Sequence, residues 1–154
     1  MPNYKKGDVI ALGSDHGGFQ LKQEIIKHLT EKGIEFKDFG SYTPDSVDYP
    51  EIAEKVCSSV AKKETVLGIL VCGTGIGMSM AANKCKGIRA AACSETFSAK
   101  FTRLHNDANV LCLGGRVIGP GVALEMVDLF IGTDFEGGRH ERRVNAIMEI
   151  ENNK

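Results

Sequence analysis

Residues 66–84 read VLGILVCGTGIGMSMAANK, and this stretch decides the fold. Val66 to Cys72 is an unbroken apolar run rich in β-type residues, the pattern of a strand covered on both faces. Gly73-Thr74-Gly75-Ile76-Gly77 then interrupts it, and the residues from Met78 onward suit a helix. A buried strand, a glycine turn and a helix form the first half of a parallel strand-helix-strand unit.

The same alternation repeats on either side. Upstream, DVIALG (8–13) reads as a strand, followed by a helix in which Leu21, Ile25 and Leu29 share one face and Gly33 supplies the stop. IEFKDFG (34–40) alternates as a strand does, a loop carries Pro44 and Pro50, and a helix runs from about Glu51 to Lys62. Downstream, IRAAAC (88–93) and NVLCLGG (109–115) read as two further strands around a helix near Thr96 to Leu104. Pro120 opens a helix through Phe130, and Val144, Ile147, Met148 and Glu151 set the register of a last one. The expectation is an α/β, Rossmann-like fold of three α/β/α layers, with a five-stranded, mostly parallel sheet and an extra C-terminal helix. That helix has no further strand to return to, which suits packing on a neighbouring subunit. With no linker, repeat or low-complexity tract, residues 1–154 read as a single domain.

Composition excludes several classes of function. The 154 residues are 42% hydrophobic and 25% charged with a formal net charge of −1, so neither nucleic acid nor an acidic membrane is indicated as a partner. Trp is absent, which disfavours a stacking platform for single strands. No stretch approaches the roughly 18 apolar residues of a membrane span, and the opening MPNYKKGDVI lacks the apolar core of a signal peptide. The five cysteines, Cys57, Cys72, Cys85, Cys93 and Cys112, form no CxxC pair. An odd number without an export signal points to reduced thiols in a cytoplasmic protein, not to a disulfide framework or a zinc knuckle.

Ligands of an open α/β sheet bind beyond the carboxyl ends of its strands. Asp15, His16, Gly17 and Gly18 follow the first strand, and Asp48 and Tyr49 lie across the loop after the second. Cys72 and the glycine loop end the third, Ser94 and Glu95 follow the fourth, and Gly114, Gly115 and Arg116 follow the fifth. The glycine loop is spaced GxGxG, unlike a dinucleotide fingerprint or a P-loop. It reads either as a cradle for an anion or oxyanion or as a tight turn. Cys72 is either a thiolate favoured by the helix start or the last core residue of its strand, whereas the other four cysteines read as inert. His16 is a held imidazole or part of a turn, and His28, inside a helix without polar company, is left on the surface. His105-Asn106-Asp107 ends a helix, where a cationic imidazole is favoured. In EGGRHERRV (136–144), Arg139, His140, Arg142 and Arg143 crowd a helix start that disfavours cations. Either Glu136 and Glu141 offset them, or Arg139 and Arg143, four apart on one face, grip a phosphate.

A donor loop, a thiol, an Asp, two histidines and a phosphate clamp suit proton transfer on a sugar phosphate without a metal or cofactor. GSDHGG, DYP (48–50), CGTGIGMSMAANK, GIRAA, HND, GGR and EGGRHERRV occur in order along nearly the whole chain. Together they resemble the type B ribose-5-phosphate isomerases, in the family that also holds galactose-6-phosphate isomerase subunits. The resemblance implies interconversion of ribose 5-phosphate and ribulose 5-phosphate through a cis-enediolate, in the pentose phosphate pathway. It implies that Cys72 is the base, that Thr74 and the amides of Gly73 to Gly77, with Gly75 and Ile76 between, stabilise the enediolate, and that His105 assists ring opening. Asp15, His16 and Tyr49 would line the same pocket, and Asn106, Arg116, Arg139 and Arg143 match sugar- and phosphate-binding positions. It also implies a homodimer, or a tetramer, with a pocket shared between subunits. One branch of the family uses a glutamate just after the third glycine in place of the cysteine. Here that position is Met78, which fits the cysteine mechanism.

Three alternatives accompany this reading. The substrate could be a six-carbon sugar phosphate, allose or galactose 6-phosphate. A dinucleotide-binding module would use Glu95, eighteen residues after Gly77, as its ribose-binding acid. A non-catalytic phosphosugar sensor would keep the binding residues without needing the Cys72 thiol.

Overall fold

The computed structural model describes residues 3–153. Five strands, β1 (Val9–Ser14), β2 (Glu35–Asp38), β3 (Leu67–Cys72), β4 (Ala90–Ala92) and β5 (Val110–Gly114), form one sheet in the order β2-β1-β3-β5-β4. All four pairings are parallel, so the expected "mostly parallel" sheet is parallel throughout. Six helices complete the chain: α1 (Phe19–Glu31), α2 (Tyr49–Ala61), α3 (Ile76–Ala82), α4 (Thr96–Asn106), α5 (Pro120–Gly132) and α6 (Arg139–Asn152).

Strand alternation divides the core in two. Ile10, Leu12, Ile69, Val71, Leu111 and Leu113 point to one face, where Ile25, Ala99 and Phe130 of α1, α4 and α5 cover them. Ala11, Leu70, Cys72, Val110 and Cys112 point to the other, under Val56 of α2 and Met78 of α3. Every residue of β3 is buried, as its unbroken apolar run demands.

The boundaries depart from expectation where tertiary contacts decide. α2 begins at Tyr49, two residues before Glu51, because Pro50 tolerates the first helical turn, where its missing N–H has no partner to lose. β4 keeps only Ala90–Ala92 of 88–93, as the partner strand β5 pairs with those three residues alone. The last helix packs on α4 of its own chain. Its Met148 sulfur receives Arg89 Nη1 at 3.4 Å, and its Glu151 accepts from the amide of Gly87 at 3.0 Å. His28 is not a lone surface histidine; its Nε2 lies 2.8 Å from Asp128 on α5, where Lys32 also binds.

Two buried cations, Lys22 and Arg103, were not foreseen. Lys22 on α1 is wholly buried, held by Asp38 at 2.8 Å and by the Ser41 carbonyl, and it fastens the start of the loop that leads to Tyr49.

Candidate functional site

The chain leaves β1 towards β2 on one side and returns to β3 on the other, so a crevice opens between the carboxyl ends of β1 and β3. Cys72 stands there, and its Sγ receives the Gly75 amide at 3.1 Å. The residue is only 6% exposed and sits on the α2–α3 face of the sheet. The Gly115 amide holds the Cys72 carbonyl at 2.8 Å, and the Arg116 amide holds that of Gly73 at 3.0 Å. The β3 and β5 turns are thus tied together, and a Cβ added to Gly73 would lie 3.3 Å from the Arg116 guanidinium.

The glycines serve more than one purpose. Gly75 has φ +81, and a side chain there would press on the Leu113 backbone at 3.1 Å. A Cβ on Gly77 would meet the Tyr49 ring at 2.8 Å. The tight-turn reading therefore holds for these two, which let β5 and Tyr49 close on the loop. Gly75 spends its amide on Cys72, and Ile76 donates its own to Thr74 Oγ1 at 3.2 Å. The expected bank of free amides from Gly73 to Gly77 is thus reduced. Gly73, Thr74 and Gly77 retain amides without a partner among the described residues. The hydroxyl of exposed Thr74, accepting from Ile76, keeps its proton free to donate.

Asp15 and His16 flank the thiol across the crevice. The Asp15 amide donates to the Val71 carbonyl at 3.2 Å, while its buried carboxylate accepts from the Gly18 amide at 3.1 Å. His16 is exposed, and its Nδ1 accepts from the Val47 amide at 3.4 Å. Tyr49, 39% exposed, closes on Gly77 at this edge, next in the chain to exposed Ile76. Met78 is fully buried in the core, away from the crevice.

The remaining candidates lie elsewhere. Helix α4 returns from the carboxyl end of β4 to the start of β5, so His105 and Asn106 finish at the amino edge of the sheet. Cys72 pairs with Gly114, the far end of β5, and the four steps from Val110 span about 13 Å. Within one chain, therefore, His105 and Asn106 do not share a pocket with Asp15, His16 and Cys72. The start of α6 joins His105 instead. The Glu136 amide donates to the Leu104 carbonyl at 3.1 Å, and the His140 ring stacks on His105 at 4.0 Å. Glu136 does not pair with arginine; its carboxylate faces His140 at 3.4 Å and His105 at 3.6 Å. Arg139 and Arg143 are exposed, with no ion pair among the described residues. Burial, then the charges of His105 and Arg139, push the His140 imidazole below its usual range.

His105, Glu136 and His140 bring three possible ligand atoms within 4.8 Å of one another. Arg139 and Arg143 beside them make the field there positive, which suits an anion better than a cation. Glu136 and His140 are the site neighbours that sequence reasoning missed. Their four-residue spacing across the start of α6, with Glu136 just before the helix and His140 in its first turn, was the available signal. Glu95 is no ribose-binding acid, because it caps α4 by accepting the Ser98 amide at 2.9 Å.

Comparison with known proteins identifies the family of the chain. The model of the Ribose/Galactose Isomerase family matches residues 10–147. Ribose-5-phosphate isomerase B of Escherichia coli K12 is 52% identical over 142 residues, which cover 92% of this chain and 95% of that protein. The structure of Clostridium thermocellum ribose-5-phosphate isomerase B aligns with a TM-score of 0.93 at 50% identity, covering 94% of this chain and 98% of the other. That of Mycoplasma genitalium ribose-5-phosphate isomerase B, with ribulose-5-phosphate bound, aligns with a TM-score of 0.93 at 41% identity, covering 97% and 100%.

Proposed function

This chain belongs to the ribose/galactose isomerase family, and from that premise we propose that it interconverts ribose 5-phosphate and ribulose 5-phosphate. The observation that carries the proposal is Cys72. It is a thiol at the end of the central strand, under an amide donor, beside an open loop with a free hydroxyl and an arginine. The Cys72 thiolate takes the proton from C2 of the open-chain aldose and returns it to C1, with the C1 oxygen gaining and the C2 oxygen losing a proton. Between these steps the enediolate oxygens carry negative charge, which the Thr74 hydroxyl and the amides of Gly73 and Thr74 can receive. Proton transfer and charge stabilisation are all that is asked, so no metal or cofactor is required of the reaction.

The second half of the machinery comes from a second copy of the chain. His105 opens the sugar ring, Asn106 binds it, and Arg139 and Arg143 grip the phosphate, yet all four lie at the amino edge. A homodimer that sets the amino edge of one protomer against the Cys72 crevice of the other completes two equal sites. Ile76 and Met80 on α3 and Phe97 on α4 are more than half exposed, apolar surface that such a partner can cover. Each chain acts as one isomerase domain, and five free thiols suit the reducing cytoplasm.

The test is to incubate EDTA-treated protein with ribose 5-phosphate in D₂O and follow the C2 proton and ribulose 5-phosphate by NMR. Product formation with the chelator present is expected. Absence of both product and C2 exchange overturns the proposal, and the same assay on galactose 6-phosphate then tests a six-carbon substrate.

A further inference from the structure

Two thiols outside the site face each other. Cys57 lies on α2 and is fully buried, whereas Cys85 is half-buried just beyond the end of α3. Cys85 is the side chain that acts electrostatically on the Cys57 thiol. Both line a cleft of about 520 Å³ with Pro50, Ala81, Lys84 and Lys86. Helices α2 and α3 pack side by side, so the sulfurs approach from two elements of one layer. We propose that Cys57 and Cys85 are a modification site, a thiol pair that hydrogen peroxide converts into an intrachain disulfide, independent of Cys72.

Their surroundings assign the roles. Cys85 sits at the cleft between exposed Lys84 and Lys86, open to a small oxidant, with its Sγ 3.8 Å from the Ala81 carbonyl. Cys57 is closed to solvent, and burial, then the neighbouring Cys85 sulfur, push its thiol up. Cys57 is sealed in the core and Cys85 opens on the cleft, so Cys85 is the sulfur that reacts first. Its thiolate attacks one peroxide oxygen; the O–O bond breaks, an S–O bond forms, and the other oxygen leaves as water after taking up a proton. The Cys57 sulfur then attacks the Cys85 sulfenic acid. The S–S bond forms, the S–O bond breaks, and the hydroxyl departs as water with the Cys57 proton. Two thiols are oxidised by two electrons and one peroxide becomes two waters. In a reducing compartment such a bond is transient and follows the oxidant.

The sequence makes the product easy to read. Trypsin cuts after Lys55, Lys62, Lys84 and Lys86, releasing VCSSVAK (56–62) and the dipeptide Cys85-Lys86. The full chain is treated with hydrogen peroxide, free thiols are alkylated, and the digest is weighed. The expected result is a cross-linked VCSSVAK–CK species, two hydrogens lighter than its parts, lost after dithiothreitol and absent in Cys85→Ser. In Cys57→Ser the sulfenic acid has no resolving thiol, so Cys85 is expected as its sulfinic acid. Recovery of both residues as free alkylated thiols, or the same Cys85 product in the native chain and in Cys57→Ser, overturns the proposal. So does a bridge that joins Cys72 to either residue.

Discussion

His105 and His140 lie face to face, their ring centroids 4.0 Å apart and their planes 11° from parallel, with the Glu136 carboxylate near the Nε2 of both. This contact fixes the end of α4 to the start of α6. His105, Arg139 and Arg143 are therefore held as one unit, presented to whatever approaches the amino edge.

The stack has a pH signature. His140 is held below the usual histidine range by burial, then by His105 and Arg139, with Arg143 adding to the effect and Glu136 opposing it. It is neutral when folded and takes its proton more readily when unfolded. Its contribution to stability is therefore complete above the unfolded value of about 6.5, and it is lost as pH falls from there through the lower folded value. Between pH 7 and pH 5, Tm is expected to fall further for the native chain than for His140→Gln. Equal falls contradict this account.

Asp107 is a structural hub of the α4–β5 turn. It is wholly buried, adopts φ 46, and binds Arg89 at 2.8 Å and Arg103 at 2.9 Å. Asp107→Asn keeps a residue that tolerates the left-handed backbone but removes the buried charge that Arg89 and Arg103 share. The expected cost is about 3 kcal/mol, read from the urea midpoint. A loss below about 1 kcal/mol, the range of an exposed pair, shows that the pair adds little.

Arg139 and Arg143 have no ion pair among the described residues and are free for a phosphate. A charge-assisted bond is worth about 1.5–3 kcal/mol, so Arg139→Ala and Arg143→Ala should each raise KM for ribose 5-phosphate about tenfold or more. Turnover of unphosphorylated ribose, if detectable, should not change. An unchanged KM removes these residues from the clamp.

Cys72→Ala should lower kcat about 10² to 10⁴-fold, the range of a general base, and abolish C2 exchange while the protein stays folded. Near-native turnover leaves the thiol as only the last core residue of β3.

Much of this was legible in the sequence because local rules agree with the fold. The apolar run of β3, the glycine turn and the face of Leu21, Ile25 and Leu29 each follow from burial within one element. Contacts between distant elements were not legible. Nothing in the periodicity of α1 places Lys22 beside Asp38, or His28 beside Asp128, since both pairs form only after the layers close. The separation of His105 from Cys72 is different. It follows from topology, because a helix running from β4 back to β5 must end at the opposite edge. Chemical type alone does not show that consequence, which the sequence carried only through the family resemblance and its pocket shared between subunits.

The assembly of the site from two chains is best tested by complementation. Cys72→Ala and His105→Ala, each inactive alone, are co-expressed with different tags and purified as the mixture. Random pairing makes half the dimers mixed, each with one intact and one doubly altered site, so about a quarter of native activity is expected. Activity no greater than that of either variant alone would show that both residues work within one chain, and would contradict the account.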